Sequence, residues 1–161
     1  MPEKTYPGLA TANPITLVIF CPDPRFQEAT DKFIGDDLGL KPGEYVRLPF
    51  AGGVASLSEP MRLPKDFKYV WDSCKFFVEH SPSIQRVVLI NHEDCRKYAA
   101  MHGKVNLLLR QATGNMSDRQ KRDLEEALRL FAKVVGRNLS IDLYYASYAN
   151  PEHTQISIDK L

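Results

Sequence analysis

Ile15-Thr16-Leu17-Val18-Ile19-Phe20-Cys21-Pro22-Asp23-Pro24-Arg25 is the stretch from which the fold can be read. Its first six residues are apolar or β-branched with no polar alternation, the pattern of a strand buried on both faces. Each proline biases the residue before it away from the helical region, so Cys21 and Asp23 are expected to be extended. Extended residues two apart point the same way. Cys21, Asp23 and Arg25 are then expected on one side at the carboxyl end of a central strand, where open α/β sheets keep their ligands. The plain alternative is a buried cysteine and a surface ion pair in a turn.

Outward from this stretch, strands alternate with helices. Phe26, Ala29, Thr30 and Phe33 fall at helical spacing, with Pro24 at a first helical position and Gly35 as a stop. Tyr45 to Phe50 reads as a second strand. Ala51-Gly52-Gly53-Val54-Ala55-Ser56 is a loop whose glycines permit close backbone approach to a ligand or anion, or simply a turn. Lys65 to His80 is a helix with Phe67, Val70, Trp71, Cys74, Phe77 and Val78 on one stripe. Cys74 therefore belongs to the core, and His80 complements the helix dipole. Val87 to Ile90 is a third strand, running into Asn91-His92-Glu93-Asp94-Cys95. Arg96 to Gln111 reads as two short helical pieces broken at Gly103. Ser117 and Gln120 form a capping box for a long helix with Leu124, Ala127, Leu128, Phe131, Val134 and Val135 inward, closed by Gly136. Its charges, among them Arg119, Lys121, Arg122 and Asp123, read as a solvated face. Ile141 to Tyr148 is a fourth strand, and Thr154 to Asp159 alternates as a candidate fifth. The fold class is α/β: a mostly parallel four-stranded sheet flanked by helices, with a fifth antiparallel strand at its edge. Residues 1–14 read as an extended arm, not a targeting segment, and 15–161 as a single domain.

Composition narrows the function. The 161 residues are 43% hydrophobic and 25% charged, with 21 basic against 20 acidic side chains and a net charge of +1. That balance points to neither a nucleic-acid nor an anionic-membrane partner. No apolar stretch approaches the roughly 20 residues that span a bilayer. Three cysteines are an odd number, too few for a disulfide scaffold. They point to a reducing compartment such as the cytoplasm, and to metal or thiol chemistry.

Cys21, His92 and Cys95, placed at the carboxyl ends of neighbouring strands, supply two thiolates and an imidazole. Three such ligands with a fourth position left over make the pattern of a catalytic zinc site, whereas structural sites are usually closed by four protein ligands. A carboxylate at Asp23 can accept a hydrogen bond beside that fourth position, and Arg25 can hold the carboxylate ionised.

These residues resemble the β-class carbonic anhydrases: Cys-x-Asp-x-Arg after the first strand, an Ala-Gly-Gly loop, and His-x-x-Cys after a later strand, over roughly Ile15 to Cys95. The resemblance implies one zinc per chain on Cys21, His92 and Cys95. It implies reversible hydration of carbon dioxide to bicarbonate by a metal-bound hydroxide, with Asp23 and Arg25 as the dyad that gates the fourth position. Gly52 and Gly53 would line the site near the substrate, and the assembly would be a homodimer or a higher even oligomer. Three positions depart from the family pattern. Pro24 stands where serine is usual, Arg96 where glycine is usual, and Leu48-Pro49-Phe50 where a polar segment precedes Ala-Gly-Gly. Arg96 in that place can narrow the pocket, pair with Asp94 or help hold an anion. The alternatives are a non-catalytic zinc protein on the same fold and a hydrolase of a small sulfur analogue of carbon dioxide. A thiol redox protein is disfavoured by the lack of a Cys-x-x-Cys pair, and a cysteine phosphatase by the shortness of Cys21-x-x-x-Arg25. By residue type alone, His102 and His153 are candidates to carry the proton to solvent.

Overall fold

The apolar run after Pro14 forms strand β1, Thr16–Phe20, with all five residues buried. The computed structural model describes residues 4–58, 60–61, 63–103, 115–134 and 138–161. In chain order β1 is followed by helix α1 (Gln27–Lys32), which continues as a π-helical turn over Phe33–Asp37. Then come β2 (Tyr45–Pro49), a one-turn α2 (Ala55–Ser58), α3 (Pro64–His80), β3 (Arg86–His92) and α4 (Arg96–Gly103). Helix α5 (Met116–Val134), β4 (Ser140–Tyr148) and β5 (Ile156–Lys160) complete it.

The strands form one sheet in the order β2-β1-β3-β4-β5. The first four are parallel and β5 is antiparallel to β4. Strand β1 is flanked on both sides, and its alternate residues serve two cores. Leu17 and Ile19 pack with Val87, Leu89, Trp71, Cys74 and Phe131. Val18 and Phe20 pack with Phe33, Ile34, Val88, Ile90 and Tyr144 on the other face. This two-sided burial explains why the strand carries no polar alternation.

The chain leaves β1 to one side for β2 and later returns to its other side for β3. The sheet therefore reverses direction between β1 and β3, and a crevice opens at their carboxyl ends. Phe20 stands in register with Ile90, so Cys21 leaves the sheet beside Asn91 and His92.

Several expectations are corrected. Gly35 does not stop the first helix; the helical path runs on through it to Asp37 and ends before Gly39, whose φ of +66° breaks it. Pro24 does not open that helix. Asp23 turns the chain first, its carbonyl accepting the Phe26 N–H (3.0 Å) and its carboxylate the Arg25 N–H (3.0 Å). Strand β3 does not end at Ile90 but includes Asn91 and His92, paired with Tyr145 and Ala146. Helix α5 is capped not by Ser117 but by Asn115, whose Oδ1 accepts the Asp118 N–H at 2.8 Å. Its charges are not all solvated, since Arg119 and Asp123 are buried. Ala55 and Ser56, read as loop, begin α2. The piece expected between Gly103 and Gln111, and the closing Gly136, lie outside the described residues. Cys74 is buried in the core, as the stripe of α3 required.

Candidate metal centre

Cys21, His92 and Cys95 meet at the mouth of the crevice, each offering one donor atom, all within 4.8 Å of one another. Cys21 arrives from the end of β1 and His92 is the last residue of β3. Cys95 sits immediately before α4 and is 2% exposed. The turn between the last two passes through Asp94 at φ +53°, a conformation that aspartate tolerates better than most residues.

The group fits a tetrahedral metal. Zn–S bonds of about 2.3 Å at the tetrahedral angle put two sulfurs roughly 3.8 Å apart, and the Cys21 and Cys95 Sγ atoms are 3.9 Å apart. The His92 ring donates Nδ1–H to the Glu93 carbonyl at 2.7 Å, which leaves Nε2 as the lone-pair nitrogen. That Nε2 is buried and has no hydrogen-bond partner among the described residues. A buried acceptor without a partner is costly unless something electrophilic meets it. Phe26 packs against the imidazole with centroids 4.3 Å apart and fixes its plane.

The two sulfurs differ electrostatically. Cys95 is lowered to about 6, first by the hydrogen bond from Cys21 and then by backbone N–H groups of Tyr98 and Lys97 at the start of α4. Cys21 is pushed up to about 12, first by its bond to Cys95 and then by burial, although the Gly52 N–H at 3.3 Å works against this. A divalent cation held between the two sulfurs would displace the proton that lies between them.

Asp23 lies beside these donors, its Oδ2 4.0 Å from His92 Nε2. Arg25 grips it through Nε to Oδ1 (3.0 Å) and Nη2 to Oδ2 (2.8 Å). The guanidinium holds the Asp23 carboxyl down at about 2 against the effect of burial. Asp23 is therefore an anion across the physiological range. A cavity of about 200 Å³ opens beside the group, lined by Cys21, Asp23, Gly52, Cys95, Arg96 and Lys97 among others.

The remaining candidates divide. Gly52 faces the cavity, whereas Gly53 is turned inward against Asn91 and Ile90. Arg96 is at the cavity rim, but Asp94 pairs with Arg25 instead of Arg96. His80 stacks on Phe76, away from this group. His153 stacks on Tyr148 at 4.0 Å, in the turn before β5. The side chain of His102 lies outside the described residues. In the sequence Asn91 and Tyr98 carry no signal of a role, Asp94 reads only as a partner for Arg96 and Asp123 as part of a solvated face. In the structure Asp94 meets Arg25 and Asp123 meets Tyr98.

No family model matches the chain, and no curated protein matches it in sequence. Solved structures do match. The β-carbonic anhydrase CafA of Aspergillus fumigatus is 21% identical, with 93% of this chain and 76% of that one covered at a TM-score of 0.58. A carbonic anhydrase from Streptococcus mutans is 14% identical over 96% and 87%, with a TM-score of 0.57. A tetrameric β-carbonic anhydrase from Sordaria macrospora is 16% identical over 93% and 81%, with a TM-score of 0.53. The chain has the β-carbonic anhydrase fold. Among the described residues the sheet order is β2-β1-β3-β4-β5, and the Cys21-His92-Cys95 group lies at its switch point. No described helix is long and apolar enough to cross a membrane.

Proposed function

We propose that the chain is a zinc-dependent carbonic anhydrase that interconverts carbon dioxide and bicarbonate. Cys21, His92 and Cys95 hold one zinc ion, and residues 15–161 form the catalytic domain with 1–14 as an arm. The observation that carries the reading is a buried, partnerless His92 Nε2 facing two sulfurs at tetrahedral spacing, with an arginine-clamped carboxylate alongside. Bound zinc supplies a Lewis acid that lowers the pKa of a coordinated water from roughly 15.7 to about 7.

The protein residues then have distinct tasks. His92 and the two thiolates fix the ion and leave a fourth position open to solvent through the cavity. Asp23 stays ionised and accepts a hydrogen bond at that position. Arg25 keeps Asp23 turned away from the metal by occupying both of its oxygens. Released from Arg25, Asp23 is close enough to take the fourth position itself and shut the site. Gly52 presents its N–H to Cys21 and leaves room beside the metal for a small linear substrate. A cytoplasmic, even-numbered oligomer is part of the same proposal, and light scattering that gives one chain mass at all concentrations would refute the oligomer.

The deciding experiment is a stopped-flow carbon dioxide hydration assay on protein whose zinc content has been measured. One zinc per chain with hydration faster than that of the same buffer without protein supports the proposal. Full zinc loading with no hydration at any pH would favour a non-catalytic zinc protein and make Arg96→Gly the next variant to test. Freshly purified, unchelated protein without zinc would sink the metal reading.

A further inference from the structure

We propose that Asn91, backed by Tyr98, is a positioning residue of the metal centre: its buried amide ties the glycine loop facing Cys21 to the helix that follows Cys95. The inference rests on Cys21, His92 and Cys95 being the ligands.

Alternation along β3 sends His92 toward Phe26 and Asn91 to the opposite face, toward α5. There Asn91 is 1% exposed, and its amide is fully engaged. Oδ1 accepts the Val54 N–H at 3.2 Å, while Nδ2 donates to the Tyr98 hydroxyl at 3.1 Å and to the Gln120 carbonyl at 3.2 Å. A backbone N–H can only donate and a carbonyl can only accept, so the orientation of the amide is fixed by its partners. Tyr98, 0% exposed, donates its own O–H to Asp123 Oδ2 at 2.8 Å. The chain of bonds thus has one polarity and spans four elements of the fold.

Three members of this network are near neighbours of metal-site groups. Asn91 precedes His92. Val54 follows Gly52 and Gly53, and the Gly52 N–H donates to the Cys21 sulfur. Tyr98 is one helical turn after Cys95, and its backbone N–H donates to the Cys95 sulfur. The loop is seated directly on Asn91. A Cβ on Gly53 would collide with Asn91 Oδ1 and lie 2.9 Å from the Ile90 carbonyl, and its φ of +58° suits glycine. An apolar side chain at 91 would fill the space more cheaply, but would leave the Val54 N–H and the Gln120 carbonyl unpaired. Neighbouring residues that orient ligands typically contribute about 10- to 100-fold in metal affinity. A network that registers loop and helix against the last residues of β3 has that role.

The test uses Co(II) in place of zinc, titrated against a competing chelator, with the thiolate-to-cobalt absorption recorded alongside. Asn91→Ala is expected to weaken cobalt binding roughly 10- to 100-fold and alter the absorption band, and Tyr98→Phe to do so by a smaller factor. Val78→Ala, a core variant in α3, supplies a comparison that loses stability without touching the network. Metal affinity and absorption in Asn91→Ala equal to those of Val78→Ala would overturn the inference. Should Asn91→Ala fail to fold, Tyr98→Phe, which keeps its volume, decides: parent-like affinity and spectrum overturn the inference. A parent protein that binds no cobalt would instead remove the metal centre on which the inference stands.

Discussion

Arg25 and Asp94 are joined twice: Nη1 meets the Asp94 carboxylate at 2.7 Å, and Nη2 meets its carbonyl at 2.8 Å. With Asp23 on the other side, every guanidinium nitrogen is engaged. Asp94, which lies between His92 and Cys95 but outside their group of donors, therefore braces the arginine that clamps Asp23. The Asp94 side chain is 63% exposed, however, and solvent-exposed ion pairs contribute only about 0–1 kcal/mol.

Asp94→Asn, which keeps the left-handed turn and the carbonyl contact, should accordingly lower carbon dioxide hydration by no more than about fivefold, roughly the factor a 1 kcal/mol pair carries. Zinc content should be unchanged. Stopped-flow rates on metal-analysed protein check this, and a loss as large as that of an Arg25 variant would mean that Asp94 has a direct role.

On the proposed function, Arg25→Ala removes the clamp and frees Asp23 to take the fourth zinc position. Hydration should fall by roughly 10²-fold or more, the range for a lost group in proton handling, while zinc stays bound. Asp23→Asn should also disable hydration but leave the fourth position open to small anions. Equal rates in Arg25→Ala and the parent at alkaline pH would show that the pair does not gate the site.

Cys95→Ser should lower zinc content, because it removes one of two sulfurs at 3.9 Å. Cys74→Ser should leave zinc content intact. Cys74 is 0% exposed in the α3 core, so its hydroxyl replacement should cost about 1–3 kcal/mol in stability instead. Elemental analysis and urea unfolding on the same samples separate the two effects.

Phe131, 1% exposed, meets the edge of Trp71 with centroids 5.1 Å apart. Phe131→Ala opens a cavity between α5 and α3, and should destabilise the fold by about 3–5 kcal/mol. The urea midpoint reports it. A cost below about 1 kcal/mol would mean that the two helices do not share one packed core.

Asp142 gives a pH dependence with a definite sign. Burial pushes its carboxyl up, but Lys160 and Arg86 outweigh burial and hold it below the usual carboxylate range. The Arg86 Nε lies 2.7 Å away and the Lys160 Nζ 2.6 Å away. A depressed folded pKa contributes stability above the unfolded value of about 3.9, which is lost as pH falls through the folded value. The urea midpoint of Asp142→Asn should lie below the parent's at neutral pH, and the gap should close below about pH 4. A gap that stays constant with pH would remove the ionic explanation.

The sequence by itself determined the layers and the place where Cys21, His92 and Cys95 meet. An unbroken apolar run before Cys21 demands a strand covered on both faces, and a second such run before His92 demands a neighbour. Parallel strands joined through helices then leave their carboxyl ends on one side, so Cys21, His92 and Cys95 converge. Local pattern sufficed because burial acts on every residue of those runs. What the tertiary structure decided were pairings between residues far apart in the chain. Arg25 meets Asp94, 69 positions away, and the carboxylate of Asp123 lies within reach of Tyr98, 25 positions away. A charged stretch such as 118–126 reads as solvent-facing because charge avoids burial when alone. Only the fold supplies the partner that lets Asp123 go inside, and only the register of β3 against β1 and β4 turns Asn91 inward beneath the glycine loop.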